Sequence, residues 1–94
     1  MKKQYNTRHI GEMLQEKLDE LEMSQKELGE LTNLPAPMIN EYITGKRKVA
    51  PKSCIAIGVV LGVNPYELGR MQSDYYVSQA FKDVITKTTE IKEK

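Results

Sequence analysis

The sequence predicts an all-α fold of five helices in one domain, and three observations carry that prediction. Apolar residues recur at intervals of three and four along most of the chain. The expected helix boundaries fall on residues suited to them, among them Ser24 with Glu27, Pro51, Asn64 with Pro65, and the terminating glycines Gly45 and Gly62. The 94 residues suffice for a single hydrophobic core but not for two. One domain over 1–94 is therefore expected, with its core in 9–80 and a C-terminal helical extension over 81–94.

The first helix is expected over residues 10–22, where Ile10, Met13, Leu14, Leu18 and Leu21 form one apolar stripe. Ser24 and Glu27 stand at capping-box spacing, so the second helix begins at Gln25. Its apolar anchors are Leu28 and Leu31, while Gly29 lets a neighbouring helix come close at a cost of about 1 kcal/mol in helix propensity. The run Thr32-Asn33-Leu34-Pro35 breaks that helix, Asn33 being able to adopt a left-handed turn. A third helix runs from Ala36 to Thr44, burying Ile39, Tyr42 and Ile43 and exposing Pro37, Asn40, Glu41 and Thr44. Residues 51–61 make a fourth helix that is apolar almost all round, with Pro51 in its first turn. Asn64 caps a fifth that starts at Pro65 and extends into the 80s. Leu68, Met71 and Tyr75 form its stripe, followed by a heptad-like seam of Val77, Phe81, Val84, Thr88 and Ile91. The terminal TTEIKEK is expected to fray.

Composition excludes several classes. With 39% apolar and 29% charged residues the chain suits a folded domain in water. Its longest apolar run, CIAIGVVLGV at 54–63, is about half of what a membrane-spanning helix needs. The N-terminal lysines are followed by no apolar stretch, so no signal peptide and no membrane partner are expected, and the cytoplasm is the expected compartment. Cys54 has no partner for a disulfide and sits among apolar neighbours as an inert thiol. One His and one Cys make no metal site, no catalytic constellation is found, and no cofactor is implied, so an enzyme is not expected. His9 reads as a helix-start residue bonded locally.

The net charge is only +1, but it is polarised. Residues 12–30 hold Glu12, Glu16, Asp19, Glu20, Glu22, Glu27 and Glu30 against Lys17 and Lys26. Lys46, Arg47, Lys48 and Lys52 form a basic cluster, and Lys2, Lys3 and Arg8 a second one. A basic cluster directly after a short helix suits a polyanionic partner.

Two short helices joined by a four-residue turn and flanked by supporting helices make a helix-turn-helix, with Gly29, Asn33 and Ile39 as the small, turn-tolerant and apolar residues it requires. Within it, Ala36 and Pro37 can touch thymine methyls, Asn40 can pair with adenine, Glu41 can accept from a cytosine amine, and Thr44 can reach a base edge or a phosphate. Pro35 and Pro37 delete amide donors at the helix start and weaken its attraction for anions. Such a helix reads few bases and favours A·T-containing sites. Lys46, Arg47, Lys48 and Gln25 are the expected phosphate ligands, and with about three to four phosphates per protomer a dimer has a salt slope of about −6. The candidate dimer interface is the apolar surplus at Ile55, Val59, Val77, Phe81 and Val84.

The segment SQKELGELTNLPAPMINEYITGKRK resembles the helix-turn-helix of the Xre/Cro-like, lambda-repressor-like regulators, and residues 9–80 resemble the HigA-type antitoxins within that group. The resemblance is carried by His9, Gly11 and Glu12, by Ile39-Asn40-Glu41, by Gly45-Lys46-Arg47, and by Leu61, Gly62 and Pro65. Ala36 and Met38 stand where such antitoxins commonly carry arginine, Ile10 replaces a proline and Leu68 a tryptophan. The resemblance implies a five-helix domain with an extended C-terminal helix. It also implies a homodimer that binds operator DNA in its own promoter and neutralises a cognate RelE-like ribonuclease toxin. Two alternatives stand beside it: a stand-alone Xre-like regulator without a toxin, from a phage or mobile element, and a protein-sequestering module with weakened DNA binding, suggested by the arginine-poor third helix.

Overall fold

The apolar stripes of the first four helices and the start of the fifth meet in one core. In it the short second and third helices pack on the fourth and first, and the fifth packs on both of those. The structure, a computed structural model, describes the backbone of residues 8–92 and the side chains of residues 8–85. Its elements are α1 (Ile10–Leu21), α2 (Gln25–Thr32), α3 (Ala36–Thr44), α4 (Pro51–Leu61) and α5 (Pro65–Lys92). Among the described residues no helix is long and apolar enough to cross a membrane. The fraying expected for 88–94 falls partly within α5, which continues as helix to Lys92, and partly outside the described residues.

The helix boundaries follow local chemistry. His9 caps α1, its Nδ1 accepting from Gly11 N at 2.9 Å. Ser24 and Glu27 form the capping box of α2, with Glu27 N donating to Ser24 Oγ at 3.0 Å and Ser24 N to Glu27 Oε1 at 2.9 Å. Asn64 Oδ1 accepts from Tyr66 N at 2.8 Å at the start of α5. Asn33 takes the left-handed conformation at φ 61° and turns the chain from α2 into α3.

The core comprises Ile10, Leu14 and Leu18 of α1, Leu28 of α2, Ile39 and Tyr42 of α3, Val49, Cys54, Ile57 and Leu61 along the loop and α4, and Leu68 of α5. Leu28 is fully buried, which contributes about 2 kcal/mol relative to exposure. Tyr42 and the buried Ser53 satisfy each other through a 2.8 Å hydroxyl contact that ties α3 to α4. Two expected anchors lie outside the core: Leu21 is 47% and Leu31 61% exposed. α1 ends at Leu21, where Glu22 swings the chain away at φ 52°. α2 is about two turns long and its buried residues are Leu28 and Gly29, so Leu31, rotated about 60° from Leu28, is left mostly at the surface.

Gly29 marks the closest approach between α2 and the turn, since a Cβ there would lie 2.7 Å from the Leu34 carbonyl oxygen. Gly69 on α5 has nothing within 4 Å of the same position. Gly29→Ala should therefore lower stability by about 1–3 kcal/mol despite its helix-propensity gain, whereas Gly69→Ala should raise it by up to about 1 kcal/mol. Urea denaturation of the two variants against the parent measures both signs. Burial also pushes the Cys54 thiol up from its ordinary range, so it stays protonated at neutral pH. A thiol-disulfide reagent should label Cys54 at pH 7 only as the protein unfolds; rapid labelling of the native chain would contradict this.

Candidate nucleic-acid interface

α3 is seated by Ile39 and Tyr42 and turns its other side to solvent. Ala36, Pro37, Asn40 and Thr44 are exposed there, and Glu41 is half-buried beside them. The face carries no positive charge. Pro35 is the N-cap of α3, without a side-chain capping bond, and Pro37 lies in its first turn, so the helix start has few donors to offer an anion.

The polar side chains of this face are already engaged. Asn40 Nδ2 donates to Gln25 Oε1 at 3.2 Å, which joins α3 to the start of α2 and leaves Asn40 Oδ1 and the second amide N–H unengaged among the described residues. Thr44 Oγ1 donates to the backbone carbonyl of Asn40 at 2.9 Å, so its hydroxyl proton is committed to its own helix. Arg47 Nε donates to Glu41 Oε1 at 2.6 Å, and the carboxylate raises the Arg47 pKa by hydrogen bonding and by its charge. Arg47 is thus not the free cation that the basic cluster suggests, and Glu41 is not a free acceptor.

Lys46 and Lys48 are exposed in the loop that follows. Three contacts that the sequence pattern did not single out place this loop. Gln72 of α5 brackets Val49, its Oε1 accepting from Val49 N at 2.6 Å and its Nε2 donating to Val49 O at 3.0 Å. The Lys48 ammonium lies 4.5 Å from the Tyr76 ring centroid, a cation–π arrangement. Gly45, at φ 83°, leaves room for the His9 ring, which meets Tyr75 edge-on at 4.9 Å. The loop is held from α5 on one side and from the α1 cap on the other. Arg8, read as part of a second basic cluster, pairs with Glu16 of α1, and Lys2 and Lys3 lie outside the described residues.

The candidate dimer residues Ile55, Val59, Val77, Phe81 and Val84 are all exposed, Val59 to 72%. Tyr66, 82% exposed, and Ile85 extend this apolar surface beyond the residues read from sequence. A groove along Ile55, Tyr66, Gly69 and Gln72 shares Gly69 and Gln72 with a second one that reaches Val77 and Ala80. Thr88 and Ile91, the last of the expected seam, lie where side chains are not described. Among the described residues no group of three or more His, Cys, Asp or Glu side chains could hold a metal ion.

An exposed α3, steered by a short α2 and followed by a cationic loop, defines a helix-turn-helix protein of the Xre-like kind. The chain belongs to the Helix-turn-helix (HTH_3) family, whose profile matches residues 14–68. It is 30% identical over 74 residues, 79% of either chain, to YddM of Escherichia coli K12, described as an uncharacterised HTH-type transcriptional regulator. Its fold is similar to that of PA4674 of Pseudomonas aeruginosa in complex with an 18-base-pair operator DNA, at a TM-score of 0.76 and 25% identity over 81% of this chain and 83% of that one. It is likewise similar to the fold of the Pseudomonas aeruginosa antitoxin HigA with the higBA promoter, at a TM-score of 0.79 and 23% identity over 87% and 90% of the two chains.

Because Gln72 supplies both partners of the Val49 backbone, Gln72→Ala should cost about 1–3 kcal/mol and release the loop. Amide hydrogen exchange reads this directly: protection at Val49 should fall in the variant while protection at Leu28 is retained under native conditions.

Proposed function

We propose that this protein is a HigA-type antitoxin and autorepressor. As a homodimer it binds operator DNA in its own promoter through α3, and it neutralises a RelE-like ribonuclease toxin. The observation that carries the DNA half of this reading is the uncovered face of α3 set beside the Lys46–Lys48 loop, a face for base edges next to cations for phosphates. Likeness to an antitoxin described with its promoter supports the remainder. Ala36 and Pro37 meet thymine methyls, Asn40 pairs with adenine with its amide steadied by Gln25, and Thr44 accepts from a base or approaches a phosphate. Lys46 and Lys48 neutralise phosphates. The exposed apolar residues Ile55, Val59, Val77, Phe81 and Val84 form the dimer face, giving the two-fold symmetry a paired half-site needs.

A second reading, a regulator without a toxin, is favoured by the likeness to YddM, which is described only as a transcriptional regulator. A toxin-sized reading frame beside this gene, whose product arrests growth alone and not with this chain, decides for the antitoxin. Absence of rescue decides for the regulator.

DNA binding is tested by fluorescence anisotropy against the gene's own upstream duplex and a scrambled one at two salt concentrations. The upstream duplex should bind at least about a hundredfold more tightly, with a salt slope of about −4 for the dimer from the two lysines of each protomer. Asn40→Ala should reduce that preference by about 1–3 kcal/mol per half-site. An equal loss on both duplexes would remove Asn40 from the base readers, and equal, weak, salt-sensitive binding of the parent protein to both would remove operator recognition altogether.

A further inference from the structure

We propose that Arg47 reads a guanine in the major groove and that Glu41 is the residue that positions it. The inference deepens the operator-binding reading above and rests on it. Glu41 lies on the outward side of α3, and Arg47 follows the helix by three residues, with side chains 38% and 52% exposed respectively. Arg47 is held to Glu41 twice, since its backbone N also approaches the Glu41 carbonyl at 3.3 Å. The 2.6 Å bond uses the Nε–H of the guanidinium and leaves its two terminal nitrogens, which have no partner among the described residues, as a fork. That fork presents two parallel donors, the geometry that matches O6 and N7 of guanine.

Charge points the same way. A carboxylate in contact with Arg47 cancels its formal charge locally, so the pair releases few counterions on meeting a phosphate. Among the described residues neither Lys46 nor Lys48 pairs with a carboxylate, which makes these two the better phosphate ligands. α3 itself carries no cation and its proline-bearing start has few donors, so the guanidinium next to this face is that of Arg47, at the opposite end of the helix and just past Thr44. Glu41 orients the fork and limits Arg47 from settling on the backbone.

In vitro selection from a pool of randomised duplexes, performed with the parent protein, Arg47→Ala and Glu41→Gln, tests this, with salt titrations on the selected duplex. For the parent, each half-site should contain a G·C pair. Arg47→Ala should lose the preference for that pair by about ten- to hundredfold, keep the rest of the half-site, and change the salt slope by less than about one unit per protomer. Glu41→Gln, which keeps shape and a hydrogen-bond acceptor, should weaken the same preference several-fold and bind scrambled duplex more tightly. If Arg47→Ala leaves every base preference intact and flattens the slope by about one unit per protomer, Arg47 is a phosphate ligand and the proposal is overturned. An undiminished G·C preference in Glu41→Gln overturns the positioning role. If the parent protein selects no sequence, operator reading fails along with it, an outcome distinct from both.

Discussion

The contact on which the rest of the structure depends is the close approach of α2 to the start of α3 at Gly29. With the Leu34 carbonyl only 2.7 Å from where a Cβ would stand, two short helices meet without a side chain between them. Asn33 then turns the chain within a few residues, and Leu34 N bonds back to the Gly29 carbonyl at 2.9 Å. Neither helix is long enough to persist alone in water. Their angle is set by this contact, and Leu28, Ile39 and Tyr42 lock it by entering the core. Only then does α3 have a solvent-facing side that can serve as a surface.

On that surface, electrostatics is local rather than global. The chain is nearly neutral, and the α3 face contributes no cation, yet a short loop immediately after it does. Gln72, Tyr76 and His9 fix where that loop lies, so the placement of its charges is a property of tertiary structure and not of the loop itself. The acidic residues of α1 and α2 are spread over other elements, which gives the molecule an electrical polarity that orients its approach to a polyanion.

Much of the fold is legible in the sequence because the signals are local. The Ser24–Glu27 box, Asn33, Gly45 and Gly62 act within one helical turn, and each lies where its chemistry requires. Leu21 and Leu31 have the right spacing yet stay outside the core, because burial is decided by what packs opposite and not by periodicity. The site follows the same division. Exposure of Ala36, Pro37, Asn40 and Thr44 follows from helical geometry once Ile39 and Tyr42 are known to be inside. The Arg47–Glu41 and Asn40–Gln25 pairs and the Gln72 clamp join residues 6, 15 and 23 positions apart, and no sequence pattern announces them.

The two sides of α3 divide their tasks with little overlap. Ile39 and Tyr42 hold the helix in place, while Ala36 and Pro37 are exposed, Thr44 bonds only its own helix, and Asn40 alone of the four reaches another helix, through Gln25. Substitutions on the outer side can accumulate without unfolding the domain, so a lineage can exchange its address on the genome while inheriting an unchanged scaffold. The arginine-free Pro-Ala-Pro start of this helix is exposed at all three residues, whereas Leu28, Gly29 and Ile39 are buried.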